Sequence, residues 1–220
     1  MSDLFNSPVL LIEQPSKKQL NYQITDPQGA ALASVTQVAG DRPKTGFAGF
    51  AASLAGEQDR SRVVVQVARP DGPPLFFVDR AARVSGLLQP PCAVVAPDGR
   101  LIGSVEHNAA EVARNRLSSR GNQQFYRLLD AEQRPLCQIE WERVSVRAYQ
   151  SNDQTTTEFV GGRYAVFTDM KEVQLAHLDI SASDWKTDRF TLQLGFQLPE
   201  PLRTLVIAAP LAMDLVSPYA

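Results

Sequence analysis

Three arginines, Arg114, Arg116 and Arg120, fall within seven residues of a polar stretch that ends at Gly121. A guanidinium is permanently charged and presents a planar fork of N–H donors, so three together are the chain's best candidate for gripping a phosphate. Lys17 and Lys18 form a smaller basic pair. Each basic side chain near an anionic lipid surface contributes roughly 1 kcal/mol. The two clusters would therefore support a peripheral membrane contact if they share a face of the fold. The plainer alternative for both is a solvated loop.

Other chemistry finds little footing. The chain has no Gly-x-Ser-x-Gly elbow, no P-loop, no dinucleotide glycine fingerprint and no His-Glu-x-x-His. His107 and His177 are the only imidazoles; both read as strand-end residues without the partner groups that general acid–base work needs. Asp98, Asp130 and Asp169 read as turn formers, and Trp141 and Trp185 as core or rim residues. Cys92 and Cys137 stand alone, which is neither a disulfide framework nor a metal pattern, so two buried thiols in a reducing compartment are expected. No catalytic residue, cofactor or metal site is expected.

The bulk numbers agree with this restraint. A chain of 220 residues suits one large all-β domain or two small ones, and with no stretch that reads as an interdomain linker a single domain over residues 1–220 is expected. A net charge of -2 provides no global attraction to nucleic acid, and no basic stripe is interleaved with aromatics. The N-terminus lacks the basic and long apolar regions of a secretory signal. No run of about 20 apolar residues is present, so no conventional membrane-spanning helix is expected. A cytoplasmic location, with a peripheral membrane contact as an option, follows.

Hairpins dominate the pattern. Leu20-Asn-Tyr-Gln-Ile24 alternates apolar and polar residues, then Thr25-Asp-Pro-Gln-Gly29 supplies a turn and Leu32 to Val38 the return strand. The unit recurs around Asp98-Gly99, around Asp130 and around Asp169. With Val9–Ile12, Arg62–Ala68, Leu75–Val78 and Phe190–Leu194 the total is about twelve short strands, without helix–strand alternation. That favours an antiparallel meander closed into a barrel. Three stretches interrupt it: Ala39–Asp59, rich in Gly and Ala, in which Phe47–Leu54 reads as either a short helix or a mobile loop with apolar anchors; Glu106–Gly121; and Tyr149–Gly162, read as a polar loop.

The last element differs in kind. Leu202 to Val216 is apolar on more than one face, and such a helix is enclosed by protein or by lipid. At about 1.5 Å per residue it measures roughly 22 Å, short of the ~30 Å hydrocarbon core. It carries Arg203 and Asp214, and Pro210 removes one internal hydrogen bond. Pro199 and Pro201 flank its start, and Glu200 sits at the positive end of its dipole. The barrel interior suits it better than a bilayer. The fold expected is mainly β: an antiparallel closed barrel around a central hydrophobic C-terminal helix.

The strand-Asp-x-x-Gly-strand unit at Tyr22–Ala33, Ala93-Val-Val-Ala-Pro-Asp-Gly-Arg-Leu-Ile-Gly-Ser-Val105, Phe190-Thr-Leu-Gln-Leu-Gly-Phe196 and the terminal Leu202–Val216 resemble, in that order, the tubby C-terminal domain. They look closer still to its relatives, the phospholipid scramblases and the plant LURP-one-related proteins. The resemblance covers roughly Phe5 to Val216. It implies a barrel wrapped round its own C-terminal helix and a link to membrane lipids, since tubby domains bind phosphoinositides and scramblases act on phospholipids. In scramblases an acidic segment before the terminal helix is associated with calcium; here that stretch is Trp185-Lys-Thr-Asp-Arg-Phe190. Only Asp188 matches, and Lys186 and Arg189 would repel a divalent ion that wants six to eight oxygens. The scramblase palmitoylation cysteines and proline-rich N-terminal extension have no counterpart.

Three functions are thus in play. The first is a non-enzymatic module that binds anionic phospholipid headgroups at a membrane surface through Arg114, Arg116, Arg120, Lys17 and Lys18. The second is a phospholipid scramblase with Leu202–Val216 in the bilayer. The third is a scaffold that contacts a protein partner through Ala39–Asp59.

Overall fold

The computed structural model of the chain describes residues 3–15, 20–40, 62–82, 90–111, 124–142, 146–151, 154–159, 163–184 and 187–216. Along the chain run β1 (Val9–Gln14), β2 (Tyr22–Thr25), β3 (Ala31–Gly40), β4 (Val63–Ala68), β5 (Pro74–Arg80), β6 (Cys92–Val95), β7 (Leu101–His107), β8 (Gln124–Asp130) and β9 (Pro135–Glu142). There follow β10 (Val146–Ser151), β11 (Gln154–Phe159), β12 (Arg163–Asp169), β13 (Gln174–Asp184), β14 (Thr187–Leu194) and the helix α1 (Leu202–Val216).

Twelve strands form a closed antiparallel barrel in the order β1-β14-β13-β12-β9-β8-β7-β6-β5-β4-β3-β2. Closure is made by β1, which pairs with β2 on one side (Leu11↔Thr25) and with β14 on the other (Leu11↔Thr191). β10 and β11 pair only with each other, as a hairpin inserted between β9 and β12. This corrects the polar loop expected at Tyr149–Gly162. Thr155, Thr156 and Thr157 are β-branched and suit an extended backbone, but without apolar alternation they give no strand signal. The segment Phe47–Leu54 lies outside the described residues.

The pleat decides what faces inward. Leu10, Ile12 and Gln14 of β1, Val63, Val65 and Val67 of β4, and Phe76 and Val78 of β5 are all buried, each two residues from the last. α1 fills the space they enclose: every residue from Arg203 to Val216 is buried, and the helix continues unbroken through Pro210. The helix packs directly on β7 at Gly103. A Cβ at Gly103 would sit 3.0 Å from both δ-methyls of Leu205 and would collide with the Leu129 carbonyl of β8.

Antiparallel pairing sends successive connections to opposite ends of the barrel. Rim I, where β1 begins and α1 starts, holds the turns 26–30, 69–73, 96–100, 131–134 and 170–173. Rim II, where α1 ends, holds every connection between barrel strands longer than five residues. Three rim I turns share one geometry. The carboxylates of Asp26, Asp130 and Asp169 each accept from the backbone N–H two and four residues on, at 2.8–3.0 Å. The fourth residue of each turn has positive φ: Gly29, Gln133 and Glu172. Asp98 departs from this pattern, because its turn begins at Ala96; its carboxylate caps only the Arg100 N–H at 3.0 Å, and Gly99 takes the positive φ.

Two stability outcomes follow. Leu205→Ala empties a site walled by fixed strands and should lower unfolding free energy by about 2–5 kcal/mol in urea titrations. A Cβ at Gly99 would meet nothing within 4 Å. Gly99→Ala should therefore cost only the left-handed backbone strain, about 1–2 kcal/mol, with an unchanged denaturant slope.

Candidate functional site

Lys17, Lys18, Arg114, Arg116 and Arg120 all lie outside the described residues, so their side chains are not located. The topology does place the strand ends that flank them. Lys17 and Lys18 lie between the end of β1 and the start of β2, and the three arginines between the end of β7 and the start of β8; all four strand ends are on rim II. By sequence, the rim II connections 15–21, 41–62, 81–91, 108–123, 143–162 and 185–186 hold thirteen Lys and Arg against six Asp and Glu. The rim I segments 1–8, 26–30, 69–73, 96–100, 131–134, 170–173 and 195–201 hold seven Asp and Glu against four Lys and Arg. In a chain with a net charge of only -2, the connections that leave from rim II are thus basic in sequence and the rim I segments acidic.

Inside the rim II mouth, polar groups gather around the end of α1. Its last turn contains no basic residue, although the helix dipole is negative there. Arg80 of β5 supplies the missing cation, donating from Nη1 to the Leu215 carbonyl at 3.0 Å. Asp214, buried and at the unfavourable end of the dipole, accepts a hydrogen bond from the Tyr22 hydroxyl of β2. Gln14 is buried at the end of β1. Across the mouth the His107 ring meets Tyr126 edge-on at 5.4 Å, and Tyr126 tilts against the half-buried Trp141 at 6.4 Å. Cys92 Sγ lies 3.7 Å from the Ala212 carbonyl. Burial pushes the Cys92 thiol up to about 12, and burial does the same for Cys137. Neither is a thiolate at neutral pH, so neither supplies a nucleophile.

At the rim I end of the helix the situation is reversed. Glu200 serves the helix itself: its Oε2 accepts from the Thr204 hydroxyl at 2.7 Å and from the Thr204 N–H at 3.4 Å. Arg203 is only 5% exposed, and its Nε and Nη1 are sealed from solvent without an acceptor. An unpaired buried ion costs several kcal/mol, and this cation also sits at the positive pole of the helix.

On the outer wall His177 lies in the middle of β13, not at a strand end as its sequence context suggests. Its Nε2 is 3.1 Å from Asp179 Oδ1, and its ring stacks on Tyr164 at 5.4 Å. Gln193 Nε2 reaches the other Asp179 oxygen at 3.4 Å. The cluster is a cross-strand network on an open surface. Among the described residues no group of three or more His, Cys, Asp or Glu is placed to hold a metal ion, and no helix is long and apolar enough to cross a membrane.

The sequence reading passed over Tyr22 and Arg80 and treated Arg203 and Asp214 only as charges in an apolar run. A signal existed for the last two. Residues 203, 207, 210 and 214 follow the 4-3-4 spacing of one helix face, so the two charges end one stripe. Nothing local marks Tyr22, whose partner is 192 residues away. Tyr22→Phe leaves the buried carboxylate without this donor and should cost about 1.5–3 kcal/mol, read as a lower urea midpoint with rim I unaffected. No protein-family model, no curated protein and no solved structure matches the chain.

Proposed function

We propose that this chain is a non-enzymatic binding module of the tubby and scramblase-like type, and that rim II is its working end. Its ligand is the anionic headgroup layer of a membrane, met as a peripheral contact from the cytoplasmic side. What supports this reading is the contrast in sequence charge between the connections that leave from the two rims. An anionic surface attracts the basic connections, while the acidic turns are held at the far end of the barrel, beyond a Debye length of about 8 Å in physiological salt. The protein is thereby oriented as well as attracted. Arg114, Arg116 and Arg120 are the residues assigned to headgroup phosphates, with Lys17 and Lys18 adding charge on the same rim.

The scramblase reading has less support. It requires α1 to leave the barrel, yet its side chains from Arg203 to Val216 are buried there and Asp214 is tied to Tyr22. A scaffold reading through Ala39–Asp59 draws only on that segment's place among the rim II connections.

Co-sedimentation with vesicles of phosphatidylcholine alone, and of phosphatidylcholine with phosphatidylserine, tests the proposal. Binding should occur only with the anionic lipid at low salt and fall steeply as salt rises. Replacing Arg114, Arg116 and Arg120 together by Gln should weaken it by roughly 100-fold, at about 1 kcal/mol per charge. Replacing Arg69 and Arg100 on rim I should change little. Equal binding to neutral vesicles, or no binding at low salt, sinks the idea.

A further inference from the structure

We propose that Arg203 is the core of a second site, at rim I, for a small free oxyanion such as a phosphate, sulfate or carboxylate group. This goes beyond the membrane reading and lies at the opposite end of the barrel. Two observations meet here. Arg203 stands in the first turn of a fifteen-residue helix, where the dipole favours negative charge. Its guanidinium is buried, with Nε and Nη1 unpartnered, and arginine does not relieve burial by losing its proton.

Among the described residues neither Nε nor Nη1 finds an acceptor. Glu200, the acidic residue three positions earlier, turns its Oε2 to the Thr204 hydroxyl and N–H and makes no ion pair with Arg203. The first-turn amides are committed too: Arg203 N–H donates to the Pro199 carbonyl at 3.0 Å and Leu205 N–H to the Pro201 carbonyl at 3.1 Å. The helix end therefore contributes field, and the guanidinium contributes the donors. An oxyanion on either edge of its fork would take up one of the two orphaned nitrogens. The opposite pole of the helix shows the arrangement completed, since Asp214 has Tyr22 and the Leu215 carbonyl has Arg80. The ring of acidic turns on rim I decides between sources. It repels an extended anionic surface much more than one small ion, so the ligand is a free anion and not a headgroup in a bilayer.

Thermal unfolding of the full chain in inorganic phosphate, against sodium chloride at matched ionic strength and fixed pH, provides the test. The wild-type midpoint should rise by about 3–6 °C at ten times the dissociation constant. Arg203→Met keeps the aliphatic stem and removes the charge. It should begin with a higher midpoint than wild type in phosphate-free buffer and gain no more from phosphate than from chloride. The variant also subtracts the general salting effect of phosphate on any fold. Calorimetric titration of phosphate into the wild type gives a reading that does not depend on the variant's folding. Phosphatidylserine vesicles should leave the Arg203-dependent shift absent. The site is overturned if titration detects no phosphate binding, if both proteins gain equally, if Arg203→Met begins with a lower midpoint, or if vesicles reproduce the Arg203-dependent shift.

Discussion

The enclosure of α1 is the constraint on which the rest of this structure depends. A helix apolar on more than one face, with every residue from Arg203 to Val216 buried, has to be surrounded rather than flanked. Twelve strands accomplish this because β1 accepts partners on both edges, leaving the barrel sheet with no open strand edge. The side chains of wall and axle are mutually dependent, as at Gly103. There the wall has dispensed with a side chain so that Leu205 can approach, while the neighbouring Leu129 carbonyl leaves no room to restore one.

Barrel topology also partitions the molecule chemically. In an antiparallel meander, connections alternate between the two ends. Here one end received five tight turns built around carboxylates or glycines, and the other received the long, basic connections. The acidic character of rim I is in part a by-product of turn chemistry, since Asp is favoured where a carboxylate can cap two backbone amides. The basic character of rim II has no such structural origin, because tight-turn geometry does not call for Arg or Lys. That asymmetry of explanation is why the functional reading rests on rim II.

The two ends of α1 show how unequal the treatment of buried charge can be within one core. At its C-terminus, strands β2 and β5 contribute Tyr22 and Arg80, and both the Asp214 carboxylate and the Leu215 carbonyl find partners. At its N-terminus, Glu200 caps Thr204 and leaves Arg203 unmatched. A satisfied buried ion specifies register at modest cost, whereas an unsatisfied one is a standing penalty that a better-packed apolar residue would remove. Its presence at a helix pole is therefore informative about what the barrel meets outside its own chain.

Sequence alone determined most of the architecture. The alternating strands, the Asp and Gly turns and the short all-round apolar helix with Pro210 each act over a few residues, and local physics reads such patterns directly. The β10–β11 hairpin escaped because its sequence, with three consecutive Thr in β11, carries no alternating apolar pattern, and His177 was misplaced because strand ends are weakly marked. Only the tertiary structure decided that the segments holding Lys17–Lys18 and Arg114–Arg120 leave from the same rim, since that depends on strand parity around a closed circuit. It alone paired Tyr22 with Asp214 across 192 residues and left Arg203 Nε and Nη1 buried without an acceptor. Hydrogen bonds and buried charges depend on which groups arrive within about 3 Å of one another, and no pattern confined to one stretch of chain records that.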